Sequence, residues 1–218
     1  MKRIAVIHTS LAIRERVDHE LKGQISDVEI HNIIDERMLQ DVIDLGGINP
    51  AIVQRMCLYV NAAQSMGVDI ILNACSSVGE AFDIARQQAS IPTVRIDEPM
   101  AEQAVALGAN IAVYGTVMTT LAPSCELIKR TAEKLHRPVK VAPYLIDGAF
   151  KVLAEEKNPE KHNQMVLEKV YATHGAHDVI VLAQASMAIL IPEMQGLGKP
   201  VLFSLESGVE RIRSMLAK

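Results

Sequence analysis

The sequence has no tryptophan, and phenylalanine and tyrosine together make only 3% of it. A core built from such a chain is aliphatic, and stacking platforms for bases or sugars are scarce. Cysteine is nearly as rare. Three residues at wide spacing, none in a CxxC pair, exclude a disulfide framework, give no sign of a zinc site and fit a reducing compartment. Basic charge is not in excess either, because 22 Lys and Arg stand against 26 Asp and Glu for a net charge of -4. The modest basic stretch from Lys129 to Lys140 reads as a solvated helix face, so no nucleic-acid partner is expected. No apolar run reaches the ~18 residues of a membrane span, and Met1 leads straight into a strand pattern without a secretory signal. The expectation is a cytoplasmic protein with no membrane partner.

What is present is ordinary for a soluble globular protein: 49% hydrophobic and 22% charged residues, enough to bury a sizeable core. A length of 218 residues allows one large domain or two small lobes. Short β-branched runs occur at Arg3 to His8, Val28 to Ile34, Asp69 to Asn73, Thr93 to Ile96, Asn110 to Tyr114, Val139 to Leu145, Asp178 to Leu182 and Pro200 to Ser204. Helical patterns fall at Ala51 to Met66, Ser77 to Ser90, Met100 to Leu107, Ser124 to Leu135, Lys161 to Tyr171 and Ser207 to Leu216. Continuous apolar strands alternating with helices argue for parallel sheets covered on both faces.

The second half repeats the first. Ile4-Ala5-Val6 matches Ile111-Ala112-Val113, Val28-Glu29-Ile30 matches Val139-Lys140-Val141, Asp69-Ile70-Ile71 matches Asp178-Val179-Ile180, and Pro92 to Glu98 matches Pro200 to Glu206. The four matches keep their order at spacings of 107 to 111 residues, which points to an internal duplication. The expected fold is α/β, with two pseudo-symmetric Rossmann-like lobes, each carrying a four-stranded mainly parallel sheet, and a cleft between them. Residues 1–98 with 206–218 would form the first lobe and 99–205 the second. Ligands of open α/β sheets bind beyond the strand C-termini, so the loops there hold the candidate residues.

Cys75 stands directly after the run Ile70 to Ala74, in the turn Cys75-Ser76-Ser77-Val78-Gly79. Backbone N–H groups at a helix start favour a thiolate, which is a base or a nucleophile; the alternative is a small buried residue closing the strand. Gln184 takes the corresponding place in the second half, followed by Ala185 and Ser186 where the first half has Ser76 and Ser77. His8 ends the first strand, and its imidazole either takes the thiol proton, serves as a second base, or bonds backbone. Asp97 and Glu98 read as N-terminal charges of a following helix. Cys57 reads as core, and Cys125 as a residue near a helix start where amides would lower its pKa. His174 and His177 read as a surface turn, and Gly46-Gly47-Ile48-Asn49-Pro50 as a plain loop that fits no nucleotide-binding pattern.

Asn73-Ala74-Cys75-Ser76-Ser77, with Val181 to Ala188 in the second half, resembles the aspartate/glutamate/hydantoin racemase superfamily. Ile91-Pro92 and the stretch Gly115 to Leu121 extend the resemblance over nearly the whole chain. It implies a cofactor-free and metal-free enzyme in which two cysteines flank a carbanion carbon, one removing a proton and the other returning one. The first of these falls on Cys75; the second falls on Gln184, an amide that exchanges no proton at neutral pH but can orient a carboxylate. His8 occupies a place where amino-acid racemases carry an aspartate, so the partner for a substrate amino group is missing. Thr9, Ser10, Ser76, Ser77, Thr119, Thr120, Ala185 and Ser186 correspond to the superfamily's carboxylate cradle, with helix capping as their other role.

The expected activity is racemase-type isomerisation of a small carboxylate or carbonyl substrate through Cys75, with His8 assisting. Decarboxylation and non-catalytic binding of a small acid are the alternatives. The superfamily offers precedents for one-cysteine chemistry in its arylmalonate decarboxylases and maleate isomerases. Homo-oligomers are common in it, so one is expected here.

Overall fold

The apolar runs form eight strands in two sheets, β1 (Lys2–His8), β2 (Val28–Ile34), β3 (Ile70–Asn73), β4 (Thr93–Arg95), β5 (Asn110–Gly115), β6 (Lys140–Leu145), β7 (Val179–Leu182) and β8 (Val201–Phe203). The structure is a computed structural model that describes residues 1–217. Two compact units result: Met1–Glu98 together with the C-terminal segment beginning at Leu205, and Pro99–Ser204.

In the first unit the sheet order is β2-β1-β3-β4 and every pairing is parallel. The register runs from Lys2↔Val28 to His8↔Ile34, with Ile7↔Asn73 and Asn73↔Arg95 at the far end. His8, Asn73 and Arg95 therefore finish neighbouring strands along one edge. The helices are α1 (Arg14–Gln24), α2 (Glu36–Leu45), α3 (Pro50–Ser65) and α4 (Gly79–Ala85). Asp35 caps α2 by accepting from the Met38 N–H at 3.0 Å, and Gly46 at φ 70 closes that helix in the left-handed region that glycine tolerates. Asn49 caps α3 through the Ile52 N–H at 2.9 Å, with Pro50 at the first helical position, where its missing N–H costs nothing. Ala5, Ile7 and Ile71 of the sheet pack against Met38, Val42, Ile52, Met56, Val60 and Phe82 in an aliphatic core.

The second unit repeats this order as β6-β5-β7-β8, again parallel throughout. Pro143 sits in β6, an edge strand, where a lost backbone donor is tolerated. The helices are α5 (Glu98–Leu107), α6 (Met118–Lys134), α7 (Ala149–Ala154), α8 (Pro159–Thr173) and α9 (Ile191–Met194). Asn158 and Pro159 open α8 with the same device that opens α3, the Asn158 side chain accepting from the Lys161 N–H at 3.0 Å. One sheet face packs on α5 and α6 through Ala101, Ala104, Leu121 and Ile128; the other packs on α8 and α9 through Val166, Val170 and Met194. The chain then closes with α10 (Ser204–Leu216), whose Gly208 lies so near Ile96 of the first unit that a Cβ there would stand 2.9 Å from the Ile96 carbonyl oxygen.

Candidate functional site

Beyond β3, the Ala74 N–H still donates to the Ile7 carbonyl at 3.0 Å, and the chain then turns. Cys75 has extended dihedrals (φ -136, ψ 116) and precedes one 3-10 turn, Ser76–Val78. The buried Asn73 amide donates to the Cys75 carbonyl at 2.9 Å, which fixes the turn from the strand side. The half-buried Cys75 side chain lies against the core of the first unit. Burial pushes its thiol above the ordinary value. Hydrogen bonds from the Thr9 hydroxyl, the Ser77 and Val78 N–H groups and the Ser77 hydroxyl pull the other way. Amides favour the thiolate, but desolvation outweighs them, so the resting sulfur is protonated. Thr9, Ser76 and Ser77 are all buried at this turn, and Ser10 follows half-buried.

His8 takes a different partner from the thiol. It is fully buried, and its Nε2 lies 2.7 Å from Asn32 Oδ1. Asn32 donates its amide to Asp18 at 3.1 and 3.2 Å, so Oδ1 is an acceptor and His8 Nε2 must carry the hydrogen. Asp18 is itself paired with Arg14 at 3.3 Å. Nδ1 is left as a buried lone pair without a hydrogen-bond partner. Burial lowers the imidazole pKa against the raising effect of Asn32 and Asp18, so the ring rests neutral. Of the roles open to His8, its hydrogen bond is made to the Asn32 side chain rather than to backbone, while the sulfur takes hydroxyl hydrogen bonds from Thr9, the next residue, and from Ser77.

Asp97 departs from its reading as a charge at the start of the following helix. Asp97 is fully buried and grips the equally buried Arg95 guanidinium in two bonds of 3.0 Å each. Arg95 also donates to Asp83 at 2.5 Å, while Arg86 bridges Asp83 at 2.8 Å and Glu98 at 2.7 Å. A bidentate pairing of this kind suits the planar guanidinium and compensates its burial. Only Glu98 begins the helix, as the first residue of α5.

In the second unit Gln184 has dihedrals close to those of Cys75 (φ -134, ψ 139) and likewise precedes a 3-10 turn, Ala185–Leu190, which holds Ala185 and Ser186. Its Oε1 accepts from both the Thr116 N–H, at 2.5 Å, and the Thr116 hydroxyl, at 2.9 Å. A backbone N–H can only donate, so the amide orientation is unambiguous and its NH2 group remains for other acceptors. Gln184 thus accepts from Thr116 through Oε1 and keeps its two N–H bonds for donation. Thr116 was not singled out from the sequence, although its offset from Thr9 matches the repeat. Asn73, known from the sequence only as part of the motif, joins the site through its bond to the Cys75 carbonyl.

Thr119 and Thr120 lie in the first turn of α6, which starts at Met118, not Ser124, and carries Pro123 inside. Thr119 is half-buried, and its Oγ1 has no hydrogen-bond partner. Cys125 consequently sits within the helix rather than near its start, and burial pushes its thiol up to about 11. Cys57 packs against the first unit's core from α3. Among the described residues no group of three His, Cys, Asp or Glu side chains could hold a metal ion, and no helix is long and apolar enough to cross a membrane.

The sequence profile of the Asp/Glu/Hydantoin racemase family matches residues 4–212. Among solved structures, the fold is similar to that of allantoin racemase from Klebsiella pneumoniae, with TM-score 0.69 and 19% identity over 100% of this chain and 88% of that one. Glutamate racemase isoform RacE1 from Bacillus anthracis gives 0.73 and 17% over 99% of this chain and 82% of that one. The aspartate racemase of Picrophilus torridus gives 0.71 and 10%, over 100% and 95%. No curated protein matches the sequence. At such identities the structural likeness establishes the fold, and the profile match establishes descent: the chain belongs to the Asp/Glu/Hydantoin racemase family, whose named reaction is an isomerisation.

Proposed function

We propose that the protein is a cofactor-independent, racemase-type isomerase that moves a proton at the carbon α to a carboxylate, with Cys75 Sγ as the proton carrier. The observation that carries this reading is the sulfur itself, protonated by burial yet surrounded by the donors of Thr9, Ser77 and Val78. In the protonating direction the S–H bond breaks, a C–H bond forms at the enediolate carbon, and the negative charge passes to sulfur. Those donors strengthen as the charge arrives, which is preorganised stabilisation of the kind that lowers a barrier. The reverse step returns the α-proton to sulfur.

Gln184 cannot be the second acid. Its NH2 group is assigned to a carboxylate or carbonyl oxygen of the substrate, and Thr116 holds it in that sense. His8 Nδ1, a neutral lone pair without a partner, is assigned as the second proton carrier. Ser10, Ser76, Thr119, Thr120, Ala185 and Ser186 are assigned to the substrate's oxygens. A donor at Gln184 and a neutral His8 offer nothing to a substrate ammonium, so the expected class is small carboxylic acids without an α-amino group.

Decarboxylation is the second reading, and the raised thiol favours it. Loss of carbon dioxide from a malonate-type acid leaves an enediolate that needs one proton from one side, which a resting thiol supplies. Incubating a panel of small α-substituted acids in deuterated water and following the α-proton by NMR separates these readings. The isomerase predicts deuterium entry with inversion for native protein and, with Cys75→Ala, no inversion and at most slow exchange through His8; the decarboxylase predicts loss of carbon dioxide as well. Equal exchange by both proteins removes Cys75 from the chemistry.

A further inference from the structure

The residues of the buried ion cluster beside the Cys75 turn are not repeated at the equivalent positions of the second half. Arg95 ends β4, and the equivalent residue at the end of β8 is Phe203, since Asn73↔Arg95 and Leu182↔Phe203 close the two registers. Leu205 stands where the first unit has Asp97. Four residues beyond Cys75 comes Gly79; four beyond Gln184 comes Ala188. The glycine matters because a Cβ there would stand 2.2 Å from Arg95 Nη2 and 2.4 Å from its Cζ, so the guanidinium lies directly on the Gly79 backbone. The Gly79 N–H in turn donates to the Ser76 carbonyl and closes the 3-10 turn whose amides face the sulfur.

We propose that Arg95 is a positioning residue for Cys75: clamped by Asp97 and Asp83, its guanidinium fixes Gly79 and, through it, the Ser77 and Val78 amides on the sulfur. This rests on reading Cys75 as the reacting group. The charge of Arg95 is spent on two carboxylates, so its effect on the thiol is geometric. The other titratable or charged groups around the turn are Arg86 and Glu98 of the same cluster and His8 at the end of β1. The half with an ionisable side chain at the turn has the clamp, and the half with an amide does not.

The test puts the residues of the repeat-related positions Ala188, Phe203 and Leu205 into the first copy, as Gly79→Ala with Arg95→Phe and Asp97→Leu. Two readouts are taken. Hydrogen exchange of the peptide spanning 76–79 should quicken by about tenfold while the β1 and β3 amides keep their protection. The pH midpoint for alkylation of Cys75 by iodoacetamide, followed by peptide mass spectrometry, should rise by roughly half a unit, because the new side chains keep the turn dry while its amides loosen. A folded variant with native exchange and a native midpoint overturns the proposal. Should the triple variant not fold, Arg95→Lys keeps the charge without the planar fork and must move both readouts in the same directions; native values for it overturn the proposal equally. Neither readout requires turnover, so the clamp and the catalytic role of Cys75 succeed or fail separately.

Discussion

The two strand-to-helix turns of this chain share a backbone and differ in chemistry. Each places an extended residue after a buried strand and before a 3-10 turn, and each ties it to a threonine beyond the neighbouring strand: Thr9 to Cys75, Thr116 to Gln184. The first turn rests on a buried arginine held by two carboxylates, whereas in the second Met187 and Leu190 join an aliphatic core against which Phe203 packs. A scaffold that duplicates backbone geometry can thus assign an ionisable group to one copy and a fixed donor to the other. The supporting layer has diverged along with the residue it supports.

The largest effect that would break this comparison is on stability. Arg95→Met leaves Asp97 buried without its partner and should cost about 3 to 5 kcal/mol in urea denaturation, against about 1 kcal/mol for Phe203→Leu at the equivalent place. Similar losses would mean that the ion cluster is not the distinctive support of the first turn. Next, Gln184→Glu keeps an acceptor for Thr116 but turns the outward donor into a second acceptor. The KM for a carboxylate substrate should rise by about a hundredfold with kcat less affected.

Removing the two threonine hydroxyls sharpens the contrast further. Thr9→Val should raise the alkylation midpoint of Cys75, since one donor to the thiolate is lost. Thr116→Val leaves the backbone N–H on Gln184 in place and should weaken substrate binding only about fivefold.

The smallest effect is a pH slope. The unfolded His8 titrates near 6.5 and the folded ring below it, because burial disfavours its charge. Below 6.5 the unfolded chain therefore binds more protons, so this share of stability is fully present above 6.5 and is lost as the pH falls. His8→Gln should flatten the slope of denaturation midpoints between neutral and mildly acidic pH. His177, also lowered by burial and by Lys199, leaves a residual slope from the second unit.

Strands and duplication were legible in the sequence because buried parallel strands are continuous apolar runs, and all eight runs became strands with no end moved by more than one residue. Helices were less so. Helix α1 has two buried residues, Val17 and Leu21, on an otherwise polar surface, and the sequence pattern does not show it, nor α2, α7 and α9. Pro123 looked like a boundary but sits inside α6, which moved Cys125 into the helix interior. The residues of the Cys75 turn could be found from their place after a strand, whereas their protonation could not, because desolvation depends on what packs around the sulfur. The Arg95 clamp was hidden for a related reason: Asp83 and Gly79 lie 12 and 16 positions away in the chain, and only folding brings them to one guanidinium.

The claim that one copy of the turn moves protons while the other only holds an oxygen is tested most directly by measuring α-proton exchange of a single substrate in deuterated water, with Cys75→Ala and Gln184→Ala side by side. The account predicts that Cys75→Ala loses about a thousandfold or more in kcat, while Gln184→Ala keeps most of kcat and loses binding. Matched losses of kcat in the two variants, or none in Cys75→Ala, would contradict it.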